Sequence, residues 1–373
     1  MPFATAYLVI ATLAAPIEGG RWQRMPGMPM GVFSTAASRS GDRIVITGGI
    51  DQLGQASTAV QSFDVKTRRW ALPMALGAGR FGHAQVTLAD GRLFIAGGRG
   101  GQATRPHTPL ASAVVLDLKA RTLRTAPDLP KPVIKPTAHV LDSGAVVVVG
   151  HRRASIYDPC SNQWTVHVEL HRRRRSHASA LVDSGRVLIV GGKRHDTLEL
   201  VDLEARTSRL LDARLPTTLD DFRVVALPKD RALVLGGQDT ETGDTTDQTW
   251  LIDFHDPDRS TIEPGPALQI AGGVADHCVV HVGPWLVVVG GESQRGGRDT
   301  ELGEARLVDL ATLTVLRLPP SHVPHDDAVA AADGGGVIVF GGYRVGRPLL
   351  VGPTVPVASR LVERLVLRPG GAR

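Results

Sequence analysis

Seven short apolar runs punctuate this sequence, and each ends in glycine. They read Arg43-Ile-Val-Ile-Thr-Gly48-Gly49, Arg92-Leu-Phe-Ile-Ala-Gly97-Gly98, Ala145-Val-Val-Val-Val-Gly150-His151, Arg186-Val-Leu-Ile-Val-Gly191-Gly192, Arg231-Ala-Leu-Val-Leu-Gly236-Gly237, Trp285-Leu-Val-Val-Val-Gly290-Gly291 and Val337-Ile-Val-Phe-Gly341-Gly342. From first glycine to first glycine the steps are 49, 53, 41, 45, 54 and 51 residues. A period of this size belongs to solenoids and propellers, and a unit made of strands alone is a propeller blade. The period also explains the 42 Gly and 25 Pro in 373 residues. Without it that content would suggest a flexible, turn-rich chain, and the length would suggest two domains.

The rest of a blade surrounds each run. Upstream, across a turn such as Asp90-Gly91, lies a strand of small and apolar residues, as in His83-Ala-Gln-Val-Thr-Leu88 and His177-Ala-Ser-Ala-Leu-Val182. Downstream a third strand ends in Asp64, Asp117, Asp158, Asp202, Asp253 or Asp309. The carboxylate of such an Asp can accept from amides two residues on, so it suits the turn into a fourth strand. That strand opens six residues later at Trp70, Leu123, Trp164, Ser208, Arg259 or Val315.

With these residues in place, the sequence resembles the kelch-repeat β-propeller family, whose signature is an apolar run ending in Gly-Gly, then an aromatic residue and a Trp at fixed spacing. Phe63 with Trp70 and Tyr157 with Trp164 fit it best; the other blades lack the Trp, and His151 replaces the second Gly in blade three. The expectation is an all-β, seven-bladed propeller of four-stranded antiparallel blades over residues 20–368, after a leader of 1–19. The blades fall at 28–76, 77–129, 130–170, 171–215, 216–268, 269–319 and 320–368. The last lacks a fourth strand, and Arg21-Trp22-Gln23-Arg24 at the other end can supply it. Such a strand would close the ring and remove the open sheet edge.

Residues Phe3 to Ala15 are apolar or small and uncharged. They suit a signal peptide's apolar region and export, although no Lys or Arg lies near Met1. No apolar run approaches the ~20 residues of a membrane helix. Cys160 and Cys278 fall on blades across the ring, so they should stay unbridged. The net charge is +5, and Arg supplies 36 of the 42 basic residues. Guanidinium forks match carboxylates two bonds at a time, while so mild a net charge does not by itself indicate nucleic acid.

In a propeller of this kind one face carries the loop entering each blade and the loop after each Gly-Gly. The register puts Arg80, His83 and Arg99 of blade two there, with His151 and Arg152 of blade three and Arg174, Arg175, His177, Lys193 and Arg194 of blade four. Blades five and six turn acidic, with Asp220, Asp221, Asp276 and Glu292; blade seven adds His325, Asp326, Asp327, Tyr343 and Arg344. A mouth with a basic arc would hold anions. Kelch propellers commonly bind at this mouth, so the resemblance implies a binding module for an acidic protein segment or an anionic saccharide, without a cofactor and as a monomer. The alternative it implies is an enzyme similar to sialic-acid mutarotases, acting on a carboxylated sugar by acid–base chemistry with Arg80, Arg99, Arg174 and Glu292.

Three further features carry less. His171-Arg-Arg-Arg-Arg-Ser-His177 is a candidate nucleic-acid or polyanion patch, and its lack of interleaved aromatic residues argues against nucleic acid. The loop with Asp239, Glu241, Asp244 and Asp247 offers oxygen ligands for Ca²⁺ without EF-hand spacing. His83, His177 and His277 recur at one repeat position, the mark of a structural role. Copper radical oxidases share this propeller type and use Tyr and Cys ligands, whereas this chain has only Tyr7, Tyr157 and Tyr343.

Overall fold

Seven antiparallel sheets follow one another along the chain in a computed structural model that describes residues 17–102, 107–183, 185–345 and 356–369. The apolar leader of residues 1–16 lies outside the described residues. Blade two shows the plan: Ala84–Thr87 is innermost, followed outward by Leu93–Ala96, Ala113–Asp117 and Thr122–Ala126. Blades one, four, five and six repeat it.

The apolar runs are the second strands, and burial explains why they do not alternate. Arg231–Leu235 and Trp285–Val289 are buried at every position after the first. Each such strand has neighbouring strands on both edges and neighbouring blades against both faces, so every side chain meets protein. The apolar clusters accordingly lie between blades. Leu188, Val190 and Leu200 of blade four pack with Ala232, Val234 and Ile252 of blade five, and Phe94 of blade two stacks on Tyr157 of blade three with centroids 4.5 Å apart. Third strands end as their Asp predicts. Asp64, for example, accepts from the N–H groups of Lys66 and Thr67 at 3.1 and 2.8 Å, and Asp309 from those of Ala311 and Thr312 at 2.8 and 3.1 Å.

The glycine pairs join the blades. At Gly48 (φ +61°) an added Cβ would lie 2.2 Å from the Arg80 carbonyl oxygen of the next blade. The N–H of Gly49 (φ +92°) donates to that same oxygen at 2.8 Å. Equivalent bonds run from Gly98 to Val133, Gly237 to Val274, Gly291 to His325 and Gly342 to Val32. Only a residue without Cβ permits both the positive φ and the approach.

Tryptophans clamp the outer rim. The indole N–H groups of Trp22, Trp70 and Trp164 donate to the carbonyls of Pro319, Pro26 and Pro127 at 2.7, 3.0 and 3.0 Å, each beyond the outer strand of the preceding blade. Closure occurs as expected, with the strand somewhat earlier: Ile17–Arg24 pairs with Val362–Pro369 as the outer strand of blade seven.

Three details depart from the expected register. The run His171–Arg174, read as the entry to blade four, instead ends the outer strand of blade three, Gln163–Arg174. Arg259 ends a 3-10 turn, Pro257–Arg259, and the outer strand of blade five begins at Thr261. In blade three the second and third strands are one run, Val146–Asp158, without the loop that separates them elsewhere; this is where His151, at φ +58°, replaces glycine.

Candidate functional site

The loop that enters each blade presents one residue to the head of the channel. These are Ser34, Gly82, Lys135, Ser176, Asp221, Asp276 and Asp327, and all seven have φ between +47° and +54°. Six of them carry a Cβ in a backbone region that L-residues seldom occupy. Successive members are joined head to tail: the N–H of Ser34 donates to Asp327, Gly82 to Ser34, Lys135 to Gly82 and Asp276 to Asp221, at 3.0 to 3.2 Å. These bonds require the strained conformation and hold it in place.

Charge is unevenly spread round this ring. Lys135 reaches past blade four to an ion pair with Asp221, while Ser34 donates to the Asp327 carboxylate. A cavity of ≈ 370 Å³ is lined by Lys135, Asp221, Asp276, Asp327, Arg223 and the first residues of the inner strands. Burial opposes the charge on Lys135, but Asp221, Asp276 and Asp220 outweigh it and raise its pKa. Burial also works against Asp221, where Lys135 prevails and keeps the carboxylate ionised. Asp276 is in no ion pair among the described residues, and burial and then the charge of Asp221 lift it well above the usual range against the weaker pull of Lys135 and Arg223.

A second tier stands one residue earlier. Phe33, Phe81, Ala275 and Asp326 are bridged to Ile50, Arg99, Glu292 and Tyr343, the residues that follow the glycine pairs. Phe33 and Tyr343 lie with ring centroids 5.2 Å apart, and the Arg99 guanidinium lies over Phe81 at 5.6 Å. Burial, then the positive charge of Arg175, lowers the pKa of Arg99, so the two guanidiniums share one side of the mouth. On the other side burial and then Asp326 push Glu292 up to about 8, while burial and then Asp327 push Asp326 up to about 7.

These shifts predict a pH-dependent stability. A carboxyl raised from 4.5 to about 8 on folding is fully compatible with the fold below 4.5 and opposes it increasingly as pH rises toward 8. Glu292→Gln should match the parent protein's stability at pH 4 and exceed it by on the order of 2 kcal/mol at pH 9, reading 1.36 kcal/mol per unit and reducing it for the solvent side. Denaturant titrations at both pH values check this; a constant difference would contradict it.

Several residues expected at the mouth are elsewhere. Arg80 is 1% exposed, with its guanidinium donating to the Gly97 and Ser112 carbonyls at 3.1 and 3.0 Å and to Ser112 Oγ at 3.0 Å. Arg174, also 1% exposed, donates to the carbonyls of Gly191 and Thr197 and to Glu199, at 2.8, 2.8 and 2.9 Å. His325 fills the equivalent place in blade seven, between Gly341 and Glu363. All three face the carbonyl of a first glycine inside the blade, so they serve the fold, and Arg80 and Arg174 leave the basic arc.

His83 and His177 are likewise buried beneath the ring against Thr47 and Thr137, and burial, then Arg80 or Arg174, lowers each to about 3. His151 is half-buried, Arg152, Arg175, Lys193 and Arg194 are exposed, and Glu292 is buried at the mouth. The Arg344 backbone pairs with Val357, and its side chain lies outside the described residues.

Two of the carboxylates weighed as a weak Ca²⁺ alternative are already engaged by protein donors. Asp239 is occupied by the N–H groups of Glu241 and Thr242 and by the Thr217 hydroxyl, and Asp244 by the Gly296 N–H. Among the described residues no group of three His, Cys, Asp or Glu is placed to hold a metal ion. Cys160 is exposed, Cys278 is buried, and both are free thiols.

The ring itself was open to sequence reasoning. Every member stands 14 or 15 residues before the first glycine of its blade.

Comparison with known proteins follows the same lines. No family model matches the chain. It is similar to the human Kelch-like protein 34, 22% identical over 242 residues that make up 62% of this chain and 37% of that protein. It is also similar to the Kelch-like protein terF of Aspergillus terreus, 24% identical over 357 residues, 87% of this chain and 64% of that one. The chain thus spans between about a third and two thirds of these relatives. A solved fungal alcohol oxidase of the AA5 family, in complex with copper, superimposes with a TM-score of 0.69 at 18% identity, covering 94% of this chain and 76% of that one.

With seven glycine-punctuated blades of this build, the chain is a kelch-repeat β-propeller. The oxidase likeness is one of fold. The donor set here does not suit copper: the Tyr157 hydroxyl is bonded to Asn162 at an outer turn, the Cys278 thiol faces the Ala328 carbonyl in the core, Tyr7 lies outside the described residues, and Tyr343 alone stands at the mouth.

Proposed function

We infer that this propeller is a binding module whose mouth takes a carboxylate, borne by an acidic peptide segment or an anionic saccharide, on the side formed by blades two to four. The observation that carries the reading is the pair Arg99 and Arg175. Burial and then the charge of Arg175 lower the pKa of Arg99, against the weaker pull of Asp221 and Asp220, and neither arginine makes an ion pair among the described residues. Arg152, Lys193 and Arg194 extend the same unpaired positive rim outward. Two repelling guanidiniums, one of them over the buried Phe81 ring, favour a bidentate anion, because it relieves the repulsion and satisfies the forks together.

The test is binding of hexaglutamate and of N-acetylneuraminate to the Arg99→Ala, Arg175→Ala double variant. Loss of two charge-assisted contacts should weaken affinity by at least about tenfold and make it less salt-dependent. Unchanged affinity in the double variant would remove the basic side from the function.

A second reading has its own support. Glu292 and Asp326, pushed to about 8 and about 7, can hold and exchange a proton at neutral pH. That is what a carbohydrate-active propeller resembling a sialic-acid mutarotase needs. Exchange spectroscopy of the sugar's anomers separates the two: acceleration that Glu292→Gln abolishes supports the enzyme, and binding without acceleration supports the module.

A further inference from the structure

The seam between blades six and seven gathers three carboxyls without a cation. The Gly291 N–H donates to the His325 carbonyl at 2.8 Å, which locks the segments bearing Glu292 and Asp326 side by side. Asp299 stands exposed on the second strand of the hairpin that Glu292 opens, and the Tyr343 hydroxyl faces Asp326. None of the three carboxyls makes an ion pair among the described residues.

Asp326 supplies a further observation. Its side chain is 1% exposed, yet its Oδ1 has no hydrogen-bond partner. A buried acceptor left unsatisfied is a cost that a donor arriving from outside removes. Beneath the mouth, Phe33 and Phe81 are buried in one apolar cluster with Ile50 and Ala358, and the half-buried Tyr343 ring packs on it between this seam and Phe33.

We propose that the mouth accepts a zwitterion of the ω-amino carboxylate kind, its carboxylate on Arg99 and Arg175, its ammonium on Glu292, Asp299 and Asp326, and its methylenes along the Tyr343 ring. This rests on the carboxylate reading of the basic side and adds the opposite pole. Opposed charges on one ligand fit a mouth whose own opposed charges are held apart. The acidic pole faces Asp327, Asp221 and Tyr343, with Lys135 and Arg223 beyond them against Asp327. Deprotonation of Glu292 and Asp326 through pH 7 to 8 should therefore strengthen ammonium binding.

Calorimetry with the whole chain tests this, using 4-aminobutanoate, 6-aminohexanoate and 8-aminooctanoate beside hexanoate and hexylammonium. At least one amino carboxylate should bind tenfold or more tighter than hexanoate at pH 8, with the advantage shrinking at pH 6. The Glu292→Gln, Asp326→Asn double variant should lose the advantage and keep its hexanoate affinity. Its cooperative melting checks that it is folded. If hexanoate binds and no amino carboxylate binds tighter, or if the double variant keeps the advantage, the zwitterion proposal falls alone. If neither hexanoate nor any amino carboxylate binds, the carboxylate reading falls with it.

Discussion

A chain lacking residues 17–24 should lose cooperative folding of the whole ring. That strand is the outer edge of blade seven, paired from Gly19 through Arg24 with Glu363 through Arg368. Its Trp22 belongs to one apolar cluster with Val287 and Leu307 of blade six and Val339 and Leu365 of blade seven. The indole bond to the Pro319 carbonyl then ties the last two blades together. Removing the strand uncovers the polar edge of Val362–Pro369 and the apolar face behind it, which invites pairing with other chains.

The point variant Trp22→Ala keeps the strand and isolates the side chain. It should cost about 3–5 kcal/mol, a melting shift of roughly 4–6 °C for a chain of this size. Thermal unfolding followed by circular dichroism checks both variants. A deletion that melts like the parent protein would mean the ring does not depend on this closure.

Arg174→Met should be nearly as damaging, although the same residue read as a ligand anchor from sequence. Glu199 is fully buried and accepts from the Arg174 guanidinium at 2.9 Å, from the His171 N–H at 2.6 Å and from the His171 ring at 3.2 Å. Removing the guanidinium leaves this carboxylate charged in the interior and strips donors from the Gly191 and Thr197 carbonyls. Breaking one side of a buried pair costs about 3–5 kcal/mol, whereas replacing both sides is far less harmful. Arg174→Met with Glu199→Leu should therefore recover most of the loss.

Arg80→Met removes hydrogen bonds to neutral groups alone. It should cost less, about 1–3 kcal/mol. Urea titrations of the three variants decide it: equal losses for Arg80→Met and Arg174→Met, or no recovery in the double variant, would show that the buried pair is not the cause.

The contrast between Arg80 and Arg99 shows how far the sequence can be read. Their spacing from the glycine pairs assigns both to one face. Orientation within the loop is another matter. Arg80 immediately precedes Phe81 and turns inward to the Gly97 carbonyl, while Arg99 follows the pair and lies over Phe81 at the mouth. One residue of register reverses the side to which a side chain points in extended chain, so a list of charged loop residues mixes those that hold the fold with those that face a ligand.

The number of blades, their strand order and the closing strand follow from the sequence because each rests on a local rule repeated seven times. An apolar run covered on both faces, a glycine pair where the next blade's carbonyl approaches, and an Asp at the outer turn each leave a mark at fixed spacing. Tertiary structure alone decided which charges meet. The pairing of Lys135 with Asp221 and the seam of Glu292 with Asp326 join residues from different blades, and electrostatic energy depends on distance and burial across the ring. Neither quantity is written in the spacing of residues along the chain.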